Sequence, residues 1–184
     1  MEESSFLNPT YALSNAGVHE GQEVADFGAG SGFFTRAAAR AVGSGTVWAV
    51  DTNGDLLTRI KSLAIAEGLH NVEILRGNIE SPAGCGLPAE HFDVVIAANI
   101  LFSAHNKTQL VKEMHRVLKK AGRALVTDWS SSHGGLGPHP DHVVREPQAR
   151  ELFEDNGFTY MGPIRAGAYH WGFTVRKKSV KSAQ

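Results

Sequence analysis

At 184 residues, with 18 Lys and Arg against 19 Asp and Glu, the chain has the size of one domain and a net charge of −1. That leaves no room for a cofactor domain beside a separate substrate domain, and it gives the chain as a whole no electrostatic preference for nucleic acid. Hydrophobic residues make up 42%, yet no apolar run approaches the roughly 20 residues of a membrane span, and the single cysteine, Cys85, excludes an internal disulfide or a thiolate metal cluster.

The N-terminal run MEESSFLNPTYALSNAG carries acid where a secretory signal carries base, so the cytoplasm is the expected location and no membrane partner is expected. Beyond it, strand-like and helix-like patterns alternate. EVADF (23–27) is an apolar run ending at glycine, and GFFTRAAARAV (32–42) has apolar residues at helical spacing. GTVWAVD (45–51) suits a buried strand, with Trp48 and Val50 in the core. NGDLLTRIKSLAIAEGL (53–69) then sets Leu56, Leu57, Ile60, Leu63 and Ala64 along one helical face. NVEILRGN (71–78) and HFDVVIAAN (91–99) read as the third and fourth strands, joined by the turn-rich SPAGCGLPAEH (81–91), where Cys85 is a loop residue.

KTQLVKEMHRVLKKAG (107–122) predicts a helix with Leu110, Val111, Met114, Val117 and Leu118 on one side and Gly122 as its stop, followed by a fifth strand, RALVTDW (123–129). Then come a Gly/Pro/His-rich loop (130–144), a helix EPQARELFEDNGF (146–158) and two strand-like runs (158–165 and 168–177). The few residues joining those two runs require an antiparallel pair, since a parallel pair needs a crossover of a dozen residues or more. Strands alternating with helices predict an α/β fold, a mainly parallel sheet covered on both faces.

The chemistry concentrates in DFGAGSG (26–32), at the first strand-to-helix turn, where open α/β sheets bind ligands. Gly28, Gly30 and Gly32 let a ligand lie against backbone, and the helix beginning near Ser31 offers unpaired N–H groups. The next strand ends in Asp51, 19 residues beyond Gly32, placed to accept both hydroxyls of a ribose. Two details separate this from a dinucleotide fingerprint, G-x-G-x-x-G. The third glycine comes one residue early, with Phe33 where glycine or alanine is expected, and Asp26 precedes the turn. A carboxylate there repels a pyrophosphate and suits a ligand with an ammonium group. An NAD enzyme is therefore a distant alternative.

VADFGAGSG, VWAVD, GNIE, FDVVIAANIL and RVLKKAGRALVTDW, in this order over residues 24–129, resemble the successive motifs of class I S-adenosylmethionine-dependent methyltransferases, especially the ubiquinone/menaquinone-biosynthesis branch. The resemblance implies a Rossmann-like three-layer sandwich around a seven-stranded sheet of order 3-2-1-4-5-7-6 with strand 7 antiparallel, in one domain over 1–184. It implies S-adenosyl-L-methionine as cofactor, with Asp26, Gly28, Gly30 and Gly32 around the methionine moiety and Asp51 on the ribose. Ala29 and Thr52 join them as cofactor contacts, Asn78 and Ile79 border the adenine, and Asn99, with Ile100, flanks the methyl donor. The family commonly has an acidic residue where this chain has Asn78, so a neutral amide contact is expected there.

No residue pattern identifies a catalytic group. His105, His133 and His139 are the candidates for a general base, each with a plain loop residue as the alternative. The spacing H-x₅-H-x₂-H of His133, His139 and His142 matches no zinc pattern, so no metal is expected. Residues 1–20 are expected to form a short lid, with Tyr11 a candidate contact, and Trp129 either walls the acceptor pocket or packs in the core. A basic tail, 177–184, is either an RNA contact or a solvated end. The expected acceptor is a small molecule, with RNA or protein as the alternative, and a non-catalytic nucleotide-binding module as a third reading. Either a monomer with an open pocket or a homodimer completing it is compatible with the short N-terminus.

Overall fold

A computed structural model describes residues 6–179. Seven strands form one sheet: β1 (Val24–Phe27), β2 (Val47–Asp51), β3 (Val72–Arg76), β4 (Phe92–Ala98), β5 (Leu118–Trp129), β6 (Phe158–Pro163) and β7 (His170–Lys177). Their spatial order is β3-β2-β1-β4-β5-β7-β6. β7 runs antiparallel to both neighbours, while the pairs among β1 to β5 are parallel. The order reverses between β1 and β4, which opens a crevice at the carboxyl ends of those strands.

Five helices cover the two faces: α1 (Pro9–Asn15), α2 (Phe33–Val42), α3 (Gly54–Ala66), α4 (Lys107–Val117) and α5 (Glu146–Asp155). Alternating strand residues feed two separate cores. Val24, Val47, Val94 and Ile96 pack under α1, α2 and α3, whereas Phe27, Val95, Ala97 and Val126 pack under α4 and α5. Alanine at positions 37, 38 and 39 of α2, all buried, keeps that helix close to the sheet. Among the described residues, no helix is long and apolar enough to cross a membrane.

Several boundaries differ from those read in the sequence, two of them with a structural reason. The helix predicted over 107–122 ends at Val117, because Leu118 leaves the helical conformation and pairs with Phe92 of β4. An apolar Leu118 extends the helical stripe in sequence, but the sheet offers it a better-buried partner. Gly122 is thus not a helix stop. A Cβ there would lie 3.0 Å from the Lys119 carbonyl and 3.2 Å from that of Phe92, so glycine permits the strands to close after an irregular turn. The basic tail also begins later than 177. Arg176 and Lys177 belong to β7, the Lys177 ammonium donates to the Leu118 carbonyl at 2.7 Å, and only 180–184 lie outside the described residues.

Gly45, ahead of β2, packs against backbone: a Cβ there would sit 2.1 Å from the Gln22 carbonyl oxygen. Backbone cannot move aside as a side-chain tip can, and overpacking of this kind costs about 1–3 kcal/mol. Gly45→Ala is expected to lose about 2 kcal/mol in urea unfolding with cofactor affinity little changed, since Gly45 lines neither lobe of the cleft described next.

Candidate functional site

A cleft opens at the carboxyl ends of β1, β2 and β4 in two lobes, of about 300 and 630 Å³, which meet at Gly28 and Asn99. The smaller lobe is bounded by the end of β2 (Val50, Asp51, Thr52), the segment after β3 (Gly77, Asn78, Ile79, Glu80) and the turn after β4 (Asn99, Ile100, Ser103). The larger is bounded by Asp26 and the glycine turn, Phe33 and Phe34 of α2, residues 6–9, Ala98, Trp129 and His170.

The glycine turn is built for close approach. Gly28 has φ +66°, and a Cβ on it would strike Ile100 Cδ1 at 1.9 Å. Gly32, with φ +75°, serves packing instead. Its missing Cβ makes room for Ile60 Cγ1 at 2.6 Å, so it locks α2 onto α3 and lines neither lobe. Of the residues proposed from sequence for the cofactor, Asp26, Gly28, Ala29, Gly30, Asp51, Thr52, Asn78, Ile79 and Asn99 all face the cleft, and Gly32 alone does not.

Two carboxylates anchor the cleft. The Asp51 Oδ2 atom accepts the Gly30 N–H at 3.0 Å and Oδ1 accepts the Asn53 N–H at 2.9 Å, so one side chain fixes both the glycine turn and the start of α3. Asp26 is 2% exposed, and its Oδ2 accepts the Thr35 hydroxyl at 2.6 Å. Burial pushes its carboxyl up to about 7, with the Asp51 charge acting in the same direction and the Thr35 hydrogen bonds opposing. Asn78, where an amide was expected, turns its Oδ1 onto the Glu80 N–H at 2.9 Å and shapes the rim.

Asn99 adopts a left-handed backbone, φ +55°, and its N–H donates to the Thr127 carbonyl. Its Oδ1 is buried without a hydrogen-bond partner, and the residue borders both lobes. The turn it begins is tied down by Asp128, at the end of β5, whose carboxylate accepts the Phe102 and Trp129 N–H groups. Burial raises the Asp128 carboxyl to about 6. Sequence reading did not single out Asp128; its position beside Trp129 at a strand end was the only signal.

The three histidine candidates do not line the cleft. His105 is exposed. His139 is exposed and sits 3.4 Å from Asp141, and His133 bonds Ser130 Oγ at 3.0 Å and stacks edge-on against Tyr169. The loop of His133 and His139 does reach the site indirectly: Gly137 sits on the Trp129 ring, where a Cβ would come within 2.7 Å. Trp129 proves to be a cleft wall. The histidine that does reach the cleft is His170, which in the sequence is one residue of a strand-like run. From the segment expected to form a lid, Phe6, Leu7, Asn8 and Pro9 line the larger lobe but Tyr11 does not; Tyr11 lies at the surface, 46% exposed. Residues 1–5 of that segment lie outside the described residues.

A family profile described as a methyltransferase domain matches residues 24–122. The ubiquinone/menaquinone biosynthesis C-methyltransferase UbiE of Laribacter hongkongensis is 36% identical over 129 residues, covering 70% of this chain and 51% of that protein. Its counterpart in Chromobacterium violaceum is 33% identical over 132 residues, covering 71% and 52%. The chain thus spans about half the length of the curated relatives it matches. Among solved structures, a SAM-dependent methyltransferase from Aquifex aeolicus superposes with a TM-score of 0.85 at 25% identity, covering 94% of this chain and 91% of that one.

Proposed function

The chain belongs to the methyltransferase-domain family, and from that premise we propose that it transfers a methyl group from S-adenosylmethionine to a small organic acceptor bound in the larger lobe. The observation that carries the reading is the two-lobed cleft whose lobes meet at Gly28 and Asn99. The smaller lobe has the polar fittings of an adenosyl group, and the larger has Asp26 and the glycine turn for the methionine half on one side and aromatic walls on the other.

The donor set fits this cofactor. Asp51 would hold the ribose hydroxyls, using lone pairs left after its two backbone bonds, and Ile79 would pack against the adenine. Asp26, a buried carboxyl with no cation among its partners, suits the ammonium of the methionine moiety, and the unsatisfied Asn99 Oδ1 calls for a donor. The flush backbone at Gly28 lets both halves lie against the turn. When bound, S-adenosylmethionine supplies a methyl group activated by its sulfonium. The protein's part is orientation: the turn at Asn99 and Ile100, braced by Asp128, separates the lobes and sets the line of approach. Holding two reactants in line accounts for about 7–11 kcal/mol of a barrier.

A small acceptor is favoured over RNA because no Lys or Arg lines either lobe among the described residues, whereas Asp26, Asp51 and Glu80 do. The names of the curated relatives, which place a C-methyltransferase in quinone biosynthesis, point the same way. Calorimetric titration with S-adenosylmethionine and with NAD, followed by transfer of a labelled methyl group to a panel of small organic acceptors, tests the reading. Binding of the first cofactor and label in an organic product are expected. Binding of NAD alone would overturn it, and binding without transfer would leave a nucleotide-binding module.

A further inference from the structure

His170 opens β7, directly across from Trp129 of β5, and the two rings lie 4.2 Å apart at 38°. The imidazole is 9% exposed, and neither Nδ1 nor Nε2 has a hydrogen-bond partner. Both residues line the larger lobe. A structural histidine this deep normally bonds at least one ring nitrogen, because an unpaired buried polar atom carries its full desolvation cost. Here the fold provides none. His170 lines the larger lobe, so an occupant of that lobe is one source of the missing partner.

The chemistry of that occupant is constrained from three sides. Burial, with His133 nearby adding to it, pushes the His170 imidazole down to about 4, so the ring is neutral near pH 7, with one N–H donor and one bare nitrogen acceptor. A hydroxyl, which both donates and accepts, satisfies either nitrogen. The walls are aromatic, with Phe6, Phe33, Phe34 and Trp129, and favour a planar apolar body. The lobe has no basic side chain among the described residues, and the cofactor's ammonium there would already be matched by Asp26, so an anionic acceptor finds no side chain to neutralise it.

We propose that His170 is the residue that selects the methyl acceptor, by hydrogen-bonding a hydroxyl on an uncharged ring system held in the larger lobe. The assignment rests on the reading of that lobe as the acceptor pocket of a methyltransferase. It makes the imidazole a recognition group, distinguishing a hydroxylated ring from its bare hydrocarbon and from an anionic analogue. The lid segment adds to the selection, since Phe6 packs on Tyr169, the residue before His170, with ring centroids 5.1 Å apart.

The test uses the full chain saturated with S-adenosylhomocysteine and three probes, 2-naphthol, naphthalene and naphthalene-2-sulfonate. Calorimetry is expected to give a naphthol affinity about tenfold above that of naphthalene, the worth of one hydrogen bond, with no sulfonate binding. ¹⁵N-histidine spectra should show the His170 ring nitrogens shifting with naphthol and not with naphthalene. His170→Phe should erase the naphthol preference while leaving S-adenosylhomocysteine affinity unchanged, and His170→Gln should restore part of it. Equal affinities for naphthol and naphthalene in the native protein, or a preference that survives in His170→Phe, would overturn the assignment while leaving methyl transfer standing. Failure of S-adenosylhomocysteine to bind the native protein would instead bring down the methyltransferase reading and this assignment with it.

Discussion

Asp51→Ala is expected to weaken S-adenosylhomocysteine binding by about 100-fold, with Asp51→Asn losing about tenfold. Asp51 closes β2 on the cleft, and each of its oxygens already accepts one backbone N–H, from Gly30 and from Asn53. Those bonds fix the direction of the remaining lone pairs, which is what a vicinal pair of ribose hydroxyls needs. Hydrogen bonds to a charged acceptor contribute about 1.5–3 kcal/mol each, so losing two at the low end of that range gives the larger figure, while the side-chain amide of the milder variant retains one good acceptor. Both N–H groups lie near solvent, so water replaces the lost partner and the fold loses about 1 kcal/mol or less. Calorimetry measures the first effect and urea unfolding the second. Native-like affinity in Asp51→Ala would mean that the smaller lobe does not hold the ribose.

The sheet was legible because its signal is local and repeated. Apolar runs such as VWAVD and FDVVIAA, each ended by a polar or glycine turn, alternate with helical stripes, and a parallel sheet is the arrangement that buries both. The helix end at Val117 was not legible, since Leu118 satisfies the helical stripe and the strand pairing equally well in sequence; the choice is made by Phe92, 26 residues earlier. The same limit governs the site. Asp26, Gly28 and Asp51 announce themselves because charge and glycine are unusual at buried strand ends. His170 does not, because it looks like any residue opening a strand, and what marks it is the absence of partners for two buried nitrogens. That is a property of the packed three-dimensional surroundings, including Trp129, 41 residues away in the chain. Gly32 illustrates the converse: the sequence correctly marks a position that tolerates no side chain, but the obstacle is Ile60 and not a ligand.

Replacing Asp26 by asparagine should flatten the pH dependence of stability and weaken cofactor binding together. Burial holds the Asp26 carboxyl at about 7 in the folded chain, against about 4 in an unfolded one. The folded state therefore binds the proton more tightly. Stability from this group is fully present below pH 4, and it is lost as pH rises towards 7, by about 4 kcal/mol in all and about 2–3 kcal/mol between pH 5 and 8. Asp128, raised to about 6 by its own burial, adds a slope of the same sign, but it is present in both proteins and cancels in their difference. Urea unfolding at pH 5 and pH 8 should thus show the native protein losing about 2–3 kcal/mol more than Asp26→Asn; equal losses would contradict a buried, protonatable Asp26. An ammonium placed beside the carboxylate reverses the balance, because it favours the ionised form and draws the pKa below 7. Binding at about pH 6–7 should then release a proton to the buffer, detectable as a dependence of the calorimetric heat on buffer ionisation enthalpy, and affinity should climb as pH rises to about 7 and fall again above about 8, where the ligand's amine loses its proton. Asp26→Asn should lose both the proton release and the climb in affinity. The free protein is destabilised at neutral pH by a carboxylate that the fold leaves without a cation, and in the function proposed above the cofactor's ammonium would be the group that completes it.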